Sequence, residues 1–314
     1  MIGIVILNYN NIQNTIDCIN SLYRYSDSTT FALCLVDNNS SEQVKQAIRQ
    51  YLHHKSDFFE LTDINRRPEK LPSVTYLLNN KNGGYAKGNN IGLNYLKTYP
   101  EIEYYLILNN DILFTMDILT PLKQYMDQHQ QVGVVSPLLY DKYGNIDYEC
   151  ARYEKKKRDF ILRTFSFVKL KDKNKILKVH PEYLNTEEVN IELPSGSCMM
   201  FQRNVFETIN FFDPNTFLYY EEDIIWKKLK KIGRNSILLP KLSCIHLGAC
   251  STSKSFSSII SESYKQSMLY YLKNYSGFSP LFIKLIEMKL SFKIKYRITQ
   301  LTIKLSTLWT RKDS

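Results

Sequence analysis

Residues 104–111 read Tyr104-Tyr-Leu-Ile-Leu-Asn-Asn-Asp111. Five apolar or aromatic residues with no polar break suit a strand buried on both faces, as in a parallel sheet covered by helices. The run ends abruptly on two amides and a carboxylate, so Asp111 stands at a strand mouth. The same pattern recurs on either side. Ile2 to Leu7 is followed by Asn8-Tyr-Asn10, Phe31 to Val36 by Asp37-Asn-Asn39, and Ser73 to Leu78 by the polar, glycine-bearing stretch Asn79 to Asn90. Val132 to Pro137 is a further strand candidate. Mixed segments at 12–25, 41–54, 88–98 and 117–129 predict helices between them. This alternation predicts an α/β fold, a mainly parallel sheet with right-handed crossovers. Ligands of such sheets bind beyond the carboxyl ends of the strands, where these four polar clusters fall.

With 314 residues, 44% hydrophobic and 23% charged, the chain can bury a sizeable core, which excludes disordered and collagenous classes. Cys18, Cys34, Cys150, Cys198, Cys244 and Cys250 include no CxxC pair, so no zinc ribbon or dithiol motif is present and buried thiols in a reducing compartment are expected. Met1 to Leu7 has no basic residue before its apolar run and no small-residue cleavage site after it. It reads as a strand, not a secretion signal. No apolar stretch approaches the ~20 residues of a membrane span.

The net charge of +10 is unevenly placed: residues 254–314 carry +8, residues 152–190 carry +5, and the remainder −3. Residues 141–190 break the strand–helix rhythm and read as a basic excursion. Order returns at Pro194 to Phe201, a strand entered through a tight turn. A helix from Glu222 to Lys231 ends at Gly233, as an αL cap would require, Asn235 to Leu239 is a strand, and 258–275 is helical. From 280 to 309 apolar residues alternate from Met288 to Ile298 with a strand period, yet the absence of internal Pro or Gly favours amphipathic basic helices. Residues 1–275 are therefore taken as one domain with an insertion at 141–190, and 276–314 as a basic C-terminal extension.

Each polar cluster admits a plain and a chemical reading. Asp37 could cap a helix or accept hydrogen bonds from a base or ribose. Gly83, Gly84 and Gly88 could form a simple turn or let backbone approach a ligand ahead of a helix N-terminus, although GxGxxG and the Walker ending are absent. Asp111 could be a turn residue or an oxygen ligand for Mg²⁺ or Mn²⁺. Glu221, Glu222 and Asp223 start a helix, where the dipole favours acids, but the aromatic residues before them suggest a pocket wall and a general base. His246 is a structural histidine or a ligand.

Taken in order, Ile4 to Asn10, Val36 to Ser40, Asn82 to Gly92, Leu108 to Asp111, Gly196 to Phe201, Phe212-Asp-Pro214, Tyr219 to Asp223 and His246 to Ser251 resemble the inverting family 2 glycosyltransferases of GT-A fold, in their bacterial rhamnosyltransferase-like subgroup. The resemblance spans about residues 2–275 and implies a nucleotide-diphospho-sugar transferase fold with a C-terminal helical extension. It implies that Asp37 reads the donor base, with Leu7, Asn8, Tyr9 and Asn39 beside it. Asn82, Gly83, Gly84, Gly88 and Asn89 would line the nucleotide and sugar. Asn109, Asn110 and Asp111 take the place of the DxD motif, with Asp111 and His246 on Mg²⁺ or Mn²⁺. Asp223 would be the base, and Gly196, Ser197 and Glu222 would face the acceptor. Ile225 stands where the family often has a second acid, and Lys227 and Lys228 where an arginine is common.

The implied partners are a UDP- or dTDP-linked sugar and a growing, lipid-linked glycan of a capsule or O-antigen type of polysaccharide. The implied location is the cytoplasm, with peripheral contact at the inner membrane face. For the basic extension, with Phe282, Leu285, Ile286, Phe292 and Trp309, attachment to anionic lipid and packing or dimerisation are both open. Nucleic acid is not expected as a partner, since no groove-reading motif accompanies the charge. A sugar-phosphate nucleotidyltransferase would need a basic glycine-rich loop after strand one, where Asn8-Tyr-Asn-Asn11 stands. A non-catalytic binding partner would not need Asp111, Asp223 and His246 together.

Overall fold

The computed structural model describes residues 1–55, 58–165, 185–248 and 254–290. In chain order the elements are β1 (Ile2–Asn8), α1 (Ile12–Tyr25), β2 (Phe31–Asp37), α2 (Glu42–Lys55), β3 (Phe59–Leu61), β4 (Val74–Leu78), α3 (Gly84–Leu96), β5 (Tyr104–Asn109), β6 (Ile112–Phe114) and α4 (Leu119–Gln128). They continue with β7 (Val132–Asp141), β8 (Ala151–Arg152), α5 (Lys157–Phe165), β9 (Val189–Ile191), β10 (Leu193–Pro194), β11 (Cys198–Gln202), α6 (Arg203–Thr208), α7 (Glu221–Lys231), β12 (Asn235–His246) and α8 (Lys254–Asn274). Residues 280–290 are also helical.

The main sheet runs β3-β4-β2-β1-β5-β11-β7-β12-β6, with β9 also on β12. Its first five strands are mutually parallel, and β11 is inserted antiparallel between β5 and β7. Alternate residues of each strand feed separate cores. Ile2, Ile4 and Ile6 pack with Ile19 and Leu22 of α1 and Ile48 of α2, while Val5 and Val36 pack with Leu93 of α3 and Leu229 of α7. Helices on both faces explain why β1, β2 and β5 are apolar up to their last residue. Pairing of β1 with its neighbours sets Asn8 opposite Asp37 and Leu7 opposite Asn109, so the polar clusters form one row at the carboxyl edge.

Several expectations shift. The helix expected from 88 begins at Gly84, so the glycine run is the first turn of α3 and not a loop before it. Gly84 has φ +79°, and a Cβ there would lie 2.1 Å from the carbonyl oxygen of Phe217. That carbonyl accepts the Tyr85 N–H at 2.8 Å. Gly88 lets α3 lie directly on Leu7 of β1. The strand expected from Pro194 is split into β10 and β11 by the turn holding Gly196 and Ser197. β12 continues past Leu239, where the expected strand ended, through an irregularity before Ser243 to its last residue, His246. Gly233 does cap α7 in the left-handed region, at φ +68°.

Five cysteines are free and buried, and Cys250 lies outside the described residues. In the extension, Phe282 and Ile286 are buried, so neither is available to a surface, whereas Leu285 is exposed. Phe292 and Trp309 lie outside the described residues. Among the described residues no helix is long and apolar enough to cross a membrane. The chain separates into two compact units, one of Met1–Glu154 with Leu177–Ser267, the other of Lys155–Ile176 with Met268–Ser314.

Candidate active site

At the carboxyl edge of β1 and β2, Asn8 and Asp37 are completely buried. Asn8 Nδ2 donates to Asp37 Oδ2 at 3.2 Å, and the Ser40 N–H donates to Asp37 Oδ1 at 2.8 Å. Tyr76 OH adds a longer contact to the same carboxylate at 3.5 Å. Asp37 is thus held at the turn into α2 by Asn8 and Ser40. Asn8 Oδ1 in turn accepts from Thr15 at 3.1 Å and from Asn110 at 3.3 Å, so Asn110 is turned inward. The surface is left to Tyr9, 43% exposed, and to the left-handed Asn10 and Asn39.

Asn38 joins this edge to α3. Its Nδ2 donates to Asn82 Oδ1 at 3.0 Å and to the Gly84 carbonyl at 3.1 Å, while its Oδ1 accepts the Gly83 N–H at 3.1 Å. Inside α3, Asn89 is buried with its Oδ1 unpartnered among the described residues.

The second centre forms because short β6 pairs with the end of β12, placing His246 opposite Ile112. The Leu247 N–H also donates to the Asp111 carbonyl at 2.9 Å. His246 Nε2 lies 3.4 Å from Asp111 Oδ2, and Nδ1 lies 3.4 Å from Asp147 Oδ2. Burial opposes the charged imidazolium, but the hydrogen bonds to Asp111 and Asp147 outweigh it, and the His246 pKa is pushed up to about 9. Asp111 Oδ1 is buried and has no hydrogen-bond partner among the described residues. Asp147, from the connection after β7, was not anticipated, because nothing in local periodicity marks it as reaching β12.

The Gly196–Ser197 turn links this centre to α7. Ser197 Oγ lies 3.4 Å from His246 Nε2 and accepts from Asn109 Nδ2 at 3.3 Å. One residue earlier, the Gly196 N–H donates to Glu222 Oε1 at 3.0 Å, and the Gly196 carbonyl accepts Tyr85 OH at 2.5 Å. Asp223, next in α7, is buried. Two consecutive left-handed residues, Tyr219 (φ 74°) and Tyr220 (φ 71°), turn the chain into this helix. Such a conformation costs each tyrosine on the order of 1 kcal/mol, a strain that fixes where the acids emerge.

Arg152, also unanticipated, sits 3.9 Å from Glu222 Oε2. Burial disfavours its charge, but Glu222, Asp223 and Glu149 more than compensate and hold its pKa above the ordinary value. Glu221 is pushed up to about 8, first by burial and then by the adjacent Glu222 charge.

No group of three His, Cys, Asp or Glu side chains converges as a metal cage among the described residues. The unsatisfied carboxylate oxygen of Asp111 nevertheless suits a hard divalent ion that shares its shell with phosphate. The His246 ring beside it joins such a shell only by giving up the proton that Asp111 and Asp147 now hold on it.

A parallel sheet with one inserted antiparallel strand, and acids gathered at its carboxyl edge, is the architecture of GT-A glycosyltransferases. A mannosyltransferase from Pyrobaculum calidifontis, solved with GDP-Man and Mn²⁺, superposes with TM-score 0.56 over 93% of this chain and 69% of its own, at 15% identity. GalNAc-T7, solved with UDP, GalNAc and Mn²⁺, gives TM-score 0.58 over 80% of this chain and 44% of its own, at 14% identity. At these identities the likeness establishes the fold. Residues 3–209 match the model described as Glycosyl transferase family 2, and the chain belongs to that family.

Among curated relatives, the low-salt glycan biosynthesis hexosyltransferase Agl10 of Haloferax volcanii is 26% identical over 223 residues, 70% of this chain and 59% of that protein. The N-acetylglucosaminyl-diphospho-decaprenol L-rhamnosyltransferase of Mycobacterium tuberculosis is 28% identical over 96 residues, 31% of each chain. Both alignments span less than two thirds of the relative's length.

Proposed function

We propose that this protein is an inverting glycosyltransferase, moving a sugar from a nucleotide-diphosphate donor to a hydroxyl of a growing, lipid-linked glycan in surface-polysaccharide synthesis. The observation that carries this reading is the chain of contacts from Asp111 through His246, Ser197 and Gly196 to Glu222, beside Asp223. It gathers a phosphate-side centre and a buried acid around one turn.

In this reading Asp223 takes the proton from the acceptor hydroxyl. The acceptor oxygen attacks the anomeric carbon as the bond to the diphosphate breaks, and the configuration inverts. Positioned base catalysis of this kind contributes about 10²–10⁴-fold. Asp111 and His246 would hold Mg²⁺ or Mn²⁺, whose Lewis acidity offsets charge on the leaving diphosphate. Tyr9, Asn39, Asn82 and the start of α3 would border the nucleotide, with Asp37 and Asn8 fixing the shape of that floor. Gly196, Ser197 and Glu222 would border the acceptor. The hexosyltransferase and the decaprenol-linked rhamnosyltransferase among the relatives support this substrate class. A lipid-linked acceptor and a soluble donor meet at the inner face of the cell membrane, where we place the reaction.

A screen of UDP- and dTDP-linked sugars for hydrolysis, with Mn²⁺ and with EDTA, tests the reading. Metal-dependent release of nucleoside diphosphate from at least one donor is expected. Hydrolysis of none, with no thermal stabilisation by any, would contradict it.

A further inference from the structure

The helix at 280–290 is apolar on two sides. Phe282, Ile283 and Ile286 are buried. On this inner side Phe282 stacks edge-on against Phe278 at 5.4 Å, and Phe278 against Phe160 of α5 at 5.6 Å. On the opposite side Leu281, Leu285 and Met288 are 71%, 46% and 52% exposed. At about 100° per residue these three fall within one narrow stripe, with Lys284 about 60° to one side of Leu281 and Lys289 about 80° to the other. A helix in water gains nothing from an exposed leucine stripe. A helix lying in a lipid interface buries it, while flanking lysines extend their ammonium groups to the headgroups.

The charge of the same unit selects the sign of that surface. The stretches 155–176 and 268–314 hold 18 Lys and Arg against four Asp and Glu, whereas the rest of the chain is net −4. Eight of those basic residues and two of the acids lie among the described residues. Polybasic segments gain about 1 kcal/mol per basic residue at an anionic leaflet, so the charge complements a phospholipid bilayer.

We propose that Leu281, Leu285 and Met288, flanked by Lys284 and Lys289, form a docking face for an anionic lipid bilayer. This extends the lipid-linked reading above. The test needs no catalysis, so either can fail without the other.

The full chain is sedimented with vesicles of phosphatidylcholine alone and of phosphatidylcholine with phosphatidylglycerol, alongside the triple variant Leu281→Ser, Leu285→Ser, Met288→Ser. Thermal melting checks that the variant is folded, and gel filtration reports oligomeric state. The wild type is expected to sediment with the anionic vesicles and to lose this as salt rises. The folded variant is expected to bind about tenfold more weakly or worse. Equal binding by the two proteins, or no binding by the wild type, would overturn the proposal. So would conversion of a dimer to a monomer in the variant without a change in vesicle binding, which assigns the stripe to a second copy. If the triple variant fails to fold, Leu281→Ser alone, at the most exposed position, must still weaken vesicle binding.

Discussion

Asp223 and Glu221 stand two residues apart on α7 yet are expected to answer differently to substitution. Asp223→Asn keeps shape and removes the base, so turnover should fall about 10²–10⁴-fold while donor affinity, read by calorimetry, stays within twofold or so. Equal losses in both would make Asp223 a binding residue. Glu221, with its pKa raised to about 8 against 4.5 when unfolded, holds its proton more tightly in the folded chain. Between those values the folded state binds more protons than the unfolded one, so this group makes the protein less stable as pH rises, with the loss complete above about 8. Glu221→Gln should match wild-type stability near pH 4.5 and exceed it by a few kcal/mol at pH 8 by denaturant titration. Parallel pH curves would contradict this. At this scale the sequence marks the acids but not their neighbours. Asp147, Arg152 and Asn38 reach the site only through pairings and turns that bring distant segments together. Nor does it reveal that Asp37 spends its carboxylate on Asn8 and Ser40.

Elements follow the apolar patterning closely where they are long. β1, β2 and β5 lie where uninterrupted apolar runs place them, and β4 where a run broken only by Thr75 does, because burial on both faces leaves no ambiguity of period. The short pieces β6, β9 and β10 carry too few residues for a pattern and exist through their partners. β6 matters most, since its three residues carry Asp111 to His246. The glycines separate in the same way. Gly84 and Gly144 both have left-handed backbone, but a Cβ at Gly144 meets nothing within 4 Å, whereas at Gly84 it strikes the Phe217 carbonyl. Gly144→Ala should cost about 1 kcal/mol. Gly84→Ala should cost several kcal/mol more, because the contact between α3 and the segment before α7 must open. Comparable denaturation midpoints for the two variants would show that this contact is not needed.

Over the whole molecule, ligand and fold are linked by mass action. A nucleoside diphosphate and metal that bind only the folded chain stabilise it, by about 2.7 kcal/mol at a hundredfold excess over Kd. UDP or dTDP with Mn²⁺ should therefore raise the melting temperature, EDTA should reverse the rise, and Asp111→Asn should abolish the metal-dependent part. A rise that survives Asp111→Asn would move the metal elsewhere. The charge segregation between the two units was legible in composition alone, but which apolar residues of the extension face outward was not. Phe282 and Ile286 turn inward and Leu281 outward because the unit's aromatic contacts, not the helix period by itself, choose the buried side.

The proposed reaction requires Asp111 and Asp223 to serve one reaction centre. A crystal structure with Mn²⁺ and the nucleoside diphosphate that stabilises the protein best, using anomalous scattering to locate the metal, tests it most directly. A manganese peak is expected on Asp111 and His246, with the terminal phosphate directed toward the Gly196–Ser197 turn and Asp223. A manganese peak away from Asp111, or a diphosphate in a cleft that Asp223 does not border, would contradict it.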